Sequence, residues 1–566
     1  MFRAKSMAKL PSPPVIITGM HRSGTSLTAS FLSVLGIHLG ERLLPADRTN
    51  PFGYFEDVDF VESHRRMLQE GTRENDGGHR DWGWTESERL DPSRFAPHAQ
   101  SARALVDERA RQPGLWGWKD PRTTLLLDFW DEILAGDAFY VLVYRFPWEV
   151  ADSMQRIGAP VFLNNPEYAL RIWIFYNRRL LDFYRQHADR AVLVSSNALK
   201  REPGKFVELL RTKLGLPVHD RPLESIWQDD LFVSFDPEDP LIQLTIATFP
   251  ECGRLLAQLD AQADFPATGL WKVSPLCGDR LRPSEPVDLS VVIPCYNQGQ
   301  FLVEAIASVE RSAVERCELV IVNDGSTQPR TIEVLDVLRH AGYHIIDQAN
   351  AGLAATRNNG IHAARGRYIL ALDADNRVTP DFIASAIRVL NTEAHVGVVY
   401  SDRLEFGLRS GRAVVPEFDI DALLWWNFID ACAVYRREIW QACDGYDASA
   451  AVLEDWEFWI AVAKRGWRFR KLSNVAFEYR VRPNSMLRSA DDKRLSSTCE
   501  YILRKHRELY EKQFGKVLIA GRTQLLTAWC DITTLRESCA RLQNEKDLLT
   551  NTKKNTNSPT NTARSG

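Results

Sequence analysis

The strongest constraint on the fold is a pair of short apolar runs, each followed by a turn and then by a helical pattern. The first run is residues 15–19 (VIITG), and the second is residues 289–294 (LSVVIP). Continuous β-branched runs are typical of parallel strands that helices cover on both faces. Because each run opens a series of alternating strand-like and helix-like segments, we predict an α/β chain with two doubly wound domains.

The 566-residue chain divides between these two series. A stretch that contains Pro275, Pro283 and Pro286 separates them and predicts a linker. After residue 490 the strand signals stop, and the Asn-, Thr- and Lys-rich end predicts disorder. The predicted units are an N-terminal tail (1–12), a first domain (13–270), a linker (271–287), a second domain (288–490), a helical extension (491–550) and a disordered tail (551–566).

Charge and cysteine content exclude several classes of protein. Lys plus Arg is 70 and Asp plus Glu is 74, a net charge of −4, which is too balanced for a dedicated nucleic-acid binder. The nine cysteines include no C-x-x-C pair, so we expect free thiols rather than a zinc site. Neither a signal peptide nor a run of about 18 apolar residues is present. We therefore expect a cytoplasmic protein, and leave open peripheral contact with the inner face of a membrane.

Apolar residues recur at helical spacing within the helical extension. The series predicts either a helix that packs on its own domain or a coiled coil that joins two copies of the chain as a homodimer. Lys546 interrupts its heptads. Its members are Ala528, Ile532, Leu535, Cys539, Leu542 and Leu549.

A phosphate site is predicted in residues 17–27 (ITGMHRSGTSL), which follow a buried strand and open a helix. Backbone N–H groups at a helix start, together with Ser and Thr hydroxyls, bind anions, and Gly19 and Gly24 would let the backbone approach the anion closely. A Walker A loop needs Lys after its second glycine, whereas Thr25 follows Gly24. Arg22 must therefore supply the positive charge, which argues against a nucleotide kinase.

A second anion-binding element follows another apolar strand. Arg145 lies at the strand's end, and Ser153 lies about two helical turns later. The two could bind one phosphate together, by charge and by a hydroxyl.

These two elements together resemble the sulfotransferases that use 3′-phosphoadenosine 5′-phosphosulfate, over roughly residues 13–270. In that family a strand–loop–helix of the form R-[SG]-G-T-[ST] holds the 5′-phosphosulfate, and an Arg and a Ser spaced as here hold the 3′-phosphate. The resemblance implies a P-loop-like fold and phosphoadenosine phosphosulfate as the donor. It assigns the first role to Arg22, Ser23, Gly24, Thr25 and Ser26, and the second to Arg145 and Ser153.

Sulfuryl transfer also needs a base for the acceptor hydroxyl and cations for the leaving phosphate. Glu56, in the turn at residues 50–57 (NPFGYFED), is the candidate base, or else a helix cap or a surface acid. Lys119 is predicted to face the sulfate, with Arg122 as a weaker candidate; an ion pair of Lys119 with Asp120 is the alternative. His21 would either contact substrate or pack.

The second domain places polar turns at the ends of its predicted strands. In the segment at residues 372–376 (LDADN), Asp373 and Asp375 are two residues apart on an extended chain and point to the same side. Two such carboxylates repel unless a cation lies between them, and a hard divalent ion that bridges to a diphosphate fits. The other polar segments are residues 293–297 (IPCYN), 322–326 (VNDGS), 350–358 (NAGLAATRN) and 453–456 (LEDW).

This set resembles the inverting family 2 glycosyltransferases, with the GT-A nucleotide-diphospho-sugar transferase fold, from about residue 288 to 485. The resemblance implies a nucleotide-diphospho-sugar donor and Mn or Mg. It makes the Glu454-Asp455 pair the general base for the acceptor hydroxyl, with Asp455 preferred; a helix N-cap is the alternative or additional role. The remaining implied roles are Pro294, Tyr296 and Asp324 around the nucleoside, Arg357 near the diphosphate, and Asp373 and Asp375 on the metal.

Two weaker features complete the second site. Trp425 and Trp426 would either stack on an acceptor sugar or pack in the core. Arg480 or Arg482 would either reach the diphosphate or lie on a solvated strand edge.

Together these expectations describe a bifunctional transferase in sulfated polysaccharide biosynthesis. It would add a sugar and a sulfuryl group to a glycan or lipid-linked glycan acceptor. The main alternative is a glycosyltransferase whose N-terminal domain only binds a nucleotide, and a less favoured one is a non-enzymatic scaffold.

Overall fold

The structure is a computed structural model, and it describes most of the chain. Side chains are described except at residues 474–476 and at most positions beyond 527. The described ranges are residues 10–47, 50–51, 53–73, 79–86, 89–219, 221, 235–283, 286–312, 316–483, 485 and 491–556.

The first domain is built on a four-stranded parallel sheet in the order β2-β1-β3-β4. Alternate residues of its strands enter two separate apolar clusters, Ile16 and Leu142 in one, and Ile17 and Val143 in the other. Both faces of the sheet are therefore buried, as the continuous apolar runs predicted. The strands are β1 (Val15–Thr18), β2 (Gly117–Lys119), β3 (Phe139–Tyr144) and β4 (Ala191–Ser195).

Helices that follow these strands cover the sheet. They are α1 (Thr25–Val34), α2 (Val58–Gly71), α3 (Ala99–Arg109), α4 (Leu127–Leu134), α5 (Pro147–Gln155), α6 (Pro160–Asn164), α7 (Glu167–Gln186), α8 (Ser196–Arg201), α9 (Pro203–Lys213), α10 (Pro240–Thr248) and α11 (Pro250–Gln262). Short 3-10 turns lie at Arg80–Trp82, Pro92–His98 and Pro121–Leu126.

The second domain has a larger, mostly parallel sheet in the order β10-β9-β11-β8-β5-β6-β7, with β12 also paired to β9. β10 and β11 run antiparallel to their neighbours. The predicted α/β architecture with a parallel sheet is confirmed. The strands are β5 (Leu289–Cys295), β6 (Cys317–Asp324), β7 (His344–Gln348), β8 (Tyr368–Ala371), β9 (Val396–Gly407), β10 (Gly411–Ala413), β11 (Val434–Arg436) and β12 (Arg468–Val481).

The helices of the second half complete the chain. They are α12 (Gly299–Ser312), α13 (Pro329–His340), α14 (Leu353–Ala363), α15 (Pro380–Thr392), α16 (Ile420–Trp425), α17 (Arg437–Ala442), α18 (Glu454–Lys464), α19 (Asp492–Lys505) and α20 (Arg507–Thr556), with 3-10 turns at Gly278–Leu281 and Ala448–Ala450. No helix among the described residues is long and apolar enough to cross a bilayer.

The two domains pack directly against each other. Helix α10, which precedes the predicted linker, places Leu244 in the buried core of the second domain. Ion pairs join Arg330 to Glu167 (2.7 Å) and Arg311 to Asp239 (2.6 Å) across the same junction. The sequence boundary at residue 270 therefore does not coincide with the boundary between the two cores.

The C-terminal extension consists of two helices, α19 and α20, and α20 packs against the second domain in its N-terminal part. A Cβ on Gly521 would lie 2.5 Å from the ring of Trp425, so the glycine permits close contact with α16. The predicted disordered tail is wrong at its start, because the helix continues through residues 551–556. The rest of that tail, residues 557–566, and most side chains of the predicted heptad series lie outside the described residues.

Candidate active sites

The loop between β1 and α1 needs glycine at two positions. A Cβ on Gly19 would lie 2.1 Å from the carbonyl oxygen of Val143, on the neighbouring strand. Gly24 has a φ of +87°, and a Cβ there would lie 2.6 Å from the Cβ of Ser196. The loop therefore turns tightly against the sheet before the helix begins at Thr25.

Two arginines and two serines meet beside this loop. Arg22 Nε donates to Ser153 Oγ (2.8 Å), and Arg145 Nη1 donates to the carbonyl of Arg22 (3.3 Å). Arg145 also forms a buried ion pair with Glu149 (2.6 Å). Ser23 is fully buried, and its Oγ has no hydrogen-bond partner among the described residues. The predicted loop residues and the Arg145 and Ser153 pair thus lie together, because the carboxyl ends of β1 and β3 are adjacent.

Burial lowers the pKa of Arg22, and the neighbouring Arg145 lowers it further. This crowding of cations, together with the unpartnered hydroxyl of Ser23 and the tight glycine loop, fits a phosphate-bearing ligand. The predicted anion-binding residues therefore lie together at one edge of the first sheet.

Glu56 is a buried carboxylate between two cations. Lys119 Nζ donates to Glu56 Oε1 (2.7 Å) and also to Ser26 Oγ (3.1 Å). Arg122 Nη1 donates to Glu56 Oε2 (3.2 Å). Glu56 does not cap the following helix, since Asp57 accepts from the backbone N–H of Asp59 there. A proton acceptor and two cations thus lie beside a Ser of the anion-binding loop.

The alternative pairing of Lys119 with Asp120 is not what the structure shows. Asp120 instead accepts from Arg122 (2.8 Å) and bonds to the imidazole of His64 (2.8 Å). His21 lies close to this group, and its pKa is lowered to about 3 by burial and by Arg122. A neutral His21 can donate one hydrogen bond and accept another, but it carries no positive charge that could attract a sulfate.

The residues predicted to bind the nucleoside lie at the carboxyl ends of β5 and β6. Tyr296 directly follows β5, in which Pro294 is buried, and its side chain is 48% exposed. Asp324, at the end of β6, accepts from the backbone N–H groups of Ala351 (2.8 Å) and Gly352 (3.0 Å). The exposed ring of Tyr296 and the hydrogen-bonded carboxylate of Asp324 therefore both lie at the carboxyl ends of these strands.

Arg357 joins two of the predicted carboxylates. It is buried, and it donates through Nη2 to Asp373 Oδ1 (2.7 Å) and through Nη1 to Glu454 Oε1 (2.5 Å). Its Nε has no hydrogen-bond partner among the described residues. Arg357 thus lies within the carboxylate group that contains the candidate metal ligands and the candidate base.

The two predicted metal ligands, Asp373 and Asp375, each pair with an arginine, Arg357 and Arg482 respectively. Asp375 Oδ2 pairs with Arg482 (2.5 Å), and burial, with a contribution from Asp373, raises the pKa of Asp375. Among the described contacts, Asp373 Oδ2 and Asp375 Oδ1 have no partner. No group of three or more His, Cys, Asp or Glu that could hold a metal ion is found among the described residues. The metal role of the pair stays a prediction.

Asp455 is a candidate catalytic carboxyl whose pKa is shifted from its ordinary value. It lies in the first turn of α18, accepts from Asn427 Nδ2 (3.0 Å) and has its pKa raised to about 7 by burial and by Glu454. The helix N-cap is Leu453, so neither acid at residues 454 and 455 is the cap. A carboxyl whose pKa lies near neutrality suits general-base catalysis.

Two residues of this site were missed from the sequence. Asp430 is half-buried, and its pKa is raised to about 6, first by loss of solvation and then by the charge of Asp373. Asn427 bonds to Asp455. Both lie in the loop after Trp425 and Trp426, and a polar pair between apolar residues was the signal that could have found them. Trp425 packs on α20, and Trp426 packs on Phe428, which favours packing over sugar stacking for both.

Comparison with protein families identifies both halves of the chain. Residues 13–220 match the model of the "Sulfotransferase family", and residues 290–443 match "Glycosyl transferase family 2". Both matches agree with the resemblances inferred from the motifs.

Curated relatives match the second half. The uncharacterized glycosyltransferase EpsJ of Bacillus subtilis is 30% identical over 225 residues, which cover 35% of this chain and 62% of EpsJ. The chondroitin synthase of Pasteurella multocida is 24% identical over 196 residues, or 33% of this chain and 20% of that enzyme. The chain thus spans less than two thirds of the length of these relatives.

Among solved structures, S. aureus TarS 1–349 in complex with UDP-GlcNAc is 20% identical. The alignment covers 36% of this chain and 62% of that chain with a TM-score of 0.32, too low to compare the folds in detail. The two family matches cover most of the segments in which the motifs lie, independently of this structural comparison. The chain therefore carries a sulfotransferase-family domain followed by a family 2 glycosyltransferase domain.

Proposed function

We propose that this chain transfers a glycosyl group from a nucleotide-diphospho-sugar and a sulfuryl group from phosphoadenosine phosphosulfate to a glycan, in the synthesis of a sulfated polysaccharide. The observation that carries the proposal is the carboxylate group of the second domain. Asp455 is half-buried, its pKa is raised to about 7, and it lies in the same group as the two aspartates that we propose as metal ligands. The proposal of sulfuryl transfer is supported by the family match and by the anion-binding loop.

In glycosyl transfer, Asp455 takes the proton from an acceptor hydroxyl. That oxygen attacks the anomeric carbon while the bond from this carbon to the diphosphate oxygen breaks, which inverts the configuration. Asp373 and Asp375 would hold Mn or Mg, which supplies positive charge to the leaving diphosphate. Tyr296 and Asp324 lie where they can bind the nucleoside.

In sulfuryl transfer, Glu56 takes the proton from the acceptor hydroxyl. The acceptor oxygen attacks sulfur, and the bond from sulfur to the 5′-phosphate oxygen breaks. Arg22 and Lys119 stabilise the charge on the leaving phosphate, while Arg145 and Ser153 hold the 3′-phosphate. The contacts of Glu56 with Lys119 support these roles, because they bring the base and a cation within 2.7 Å.

The acceptor is proposed to be a glycan or a lipid-linked glycan, and nucleic acid is not a proposed partner. Both donors are made in the cytosol, so we propose that the reactions take place there. Helix α20 leaves apolar side chains exposed, namely Phe514 (64%), Leu518 (50%) and Leu525 (61%). Their spacing continues the heptad series, which supports a homodimer; peripheral contact with a membrane is the other use of such a face.

One set of incubations tests both activities. The protein is mixed with labelled phosphoadenosine phosphosulfate, a panel of nucleotide sugars, Mn²⁺ and candidate oligosaccharide acceptors, and the products are identified by mass spectrometry. We expect a glycosylated product that is lost in Asp455→Asn and a sulfated product that is lost in Arg22→Ala. Sugar transfer without any sulfated product would favour a first domain that only binds a nucleotide, and no product of either kind would refute the proposal.

A further inference from the structure

The two candidate active sites are connected by side chains that cross the domain junction. Helix α5 carries Ser153 of the anion-binding site, and two residues later it carries Gln155. Gln155 Oε1 accepts from Arg480 Nη1 (2.5 Å), and Gln155 Nε2 donates to Glu304 Oε1 (2.9 Å). A single amide of the sulfotransferase-family domain thus bonds to two charged groups of the other domain.

Arg480 holds the segment that carries the candidate metal ligands. Its side chain is fully buried, and its Nε donates to the backbone carbonyl of Asp375 (3.0 Å). Its backbone N–H donates to Asn376 Oδ1 (3.0 Å). Arg480 therefore fixes both the backbone of Asp375 and the residue that follows it.

The charged groups around Gln155 restrict the orientation of the Arg480 side chain. Glu304 pairs with Arg480 (2.7 Å) and Arg377 (3.2 Å). Burial alone would raise the pKa of Glu304, but these two arginines lower it to about 2. The glutamate is therefore ionised, and the Gln155 amide supplies the remaining contact that orients Arg480 and Glu304 relative to each other.

We propose that Gln155 is a positioning residue for the glycosyltransferase site: it fixes Arg480 and Glu304, and through them the Asp375 segment, so that the sulfotransferase-family domain completes the donor-binding geometry of its neighbour. This inference rests on the proposed metal role of Asp373 and Asp375. Gln155 touches neither substrate nor ion and acts only through Arg480. The first domain would then be required for sugar-donor binding even when no sulfuryl group is transferred.

The test compares Gln155→Ala with Gln300→Ala in the full chain. Gln300 lines the same interdomain cavity, but no hydrogen bond to Arg480 or Glu304 is described for it. Binding of UDP in the presence of Mn²⁺ is measured by calorimetry, and backbone hydrogen exchange is followed over residues 372–377. Gln155→Ala removes both hydrogen bonds to charged groups, and we expect it to weaken UDP–Mn²⁺ binding about ten-fold and to speed exchange in that segment. Gln300→Ala should do neither.

A charge-conserving exchange provides the rescue. In the double variant Gln155→Glu with Glu304→Gln, the amide and the carboxylate swap places, the net charge is unchanged and the hydrogen bonds can form again. We expect it to recover most of the lost affinity, and binding of 3′-phosphoadenosine 5′-phosphate to stay near wild type in Gln155→Ala.

The outcomes separate this inference from the proposed function. If wild-type protein does not bind UDP with Mn²⁺, UDP is not the nucleotide of the donor, and hydrogen exchange alone decides whether Gln155 positions the segment. Unchanged exchange over residues 372–377 in Gln155→Ala would overturn the inference. So would equal effects of Gln155→Ala and Gln300→Ala, because these would indicate general loosening of the junction.

Discussion

Raising the pH through neutrality should switch on glycosyl transfer, because Asp455 works as a base only after it loses its proton. Burial and the neighbouring Glu454 raise its pKa from 3.8 to about 7. The sign follows directly: below pH 7 the carboxyl is mostly protonated and cannot accept the acceptor's proton, whereas above pH 7 it is mostly ionised. Activity is therefore lost as the pH falls through 7.

The size of the effect follows from the titration curve. With a pKa of about 7, the ionised fraction rises from roughly one tenth at pH 6 to roughly nine tenths at pH 8, so kcat should rise about ten-fold. An aspartate with the ordinary pKa of 3.8 would be almost fully ionised at both pH values. Asp430 also raises the pKa of Asp455, so Asp430→Asn should move the acid limb of the profile to lower pH.

The assay measures kcat at saturating nucleotide sugar, acceptor and Mn²⁺ between pH 5.5 and 9. Glu438→Gln removes a charge from an exposed glutamate and serves as the matched control, for which we expect the wild-type profile. A kcat that stays flat between pH 6 and pH 8 would refute the assignment of Asp455 as the base. If the acid limb of the pH profile does not shift in Asp430→Asn, the claim that Asp430 raises the pKa of Asp455 is refuted. The assignment of Asp455 as the base is unaffected by that result.

Three further predictions concern the two donor sites. Excess chelator should abolish glycosyl transfer, which needs an ion at Asp373 and Asp375, and leave sulfuryl transfer unchanged; sugar transfer that persists would remove the metal assignment. Arg145→Ala should weaken 3′-phosphoadenosine 5′-phosphate binding about ten- to a hundredfold in calorimetry, since a charged hydrogen bond contributes about 1.5–3 kcal/mol; wild-type affinity would contradict this. Gly24→Ala should cost about 1–3 kcal/mol in thermal unfolding because of the left-handed φ, and an unchanged Tm would show that the loop relaxes.

The positions of the site residues could be predicted from the sequence where a residue directly follows a strand of a parallel sheet. Arg22 and Arg145 follow apolar runs that form adjacent parallel strands, and the carboxyl ends of such strands meet at one edge. The same reasoning placed Asp324 and Asp373 at the edge of the second sheet. Local pattern was sufficient because each residue directly follows a strand or its turn.

Other features depend on packing that no local pattern records. Gln155 and Arg480 are 325 residues apart, and their contact exists only because two domains pack. The local signal at Asp430 is only a polar residue among apolar ones, and its importance comes from the carboxylates that other elements bring near. The tail prediction was wrong at residues 551–556, because a polar composition indicates disorder while an established helix extends at little cost per added residue.

Helix α10 limits how the two halves of this chain can be exchanged or expressed separately. Leu244 fills part of the second domain's core, although the helix lies before the proline-containing stretch at residues 271–287. A shortened protein that begins at residue 288 would lack this side chain and would expose the apolar surface that it covers, with a cavity cost of about 2–5 kcal/mol for a leucine. A cut before Pro240 would in turn remove Ile242, Leu255 and Leu256 from the core of the first domain. Helix α10 therefore contributes to both cores, and neither cut point leaves both of them complete.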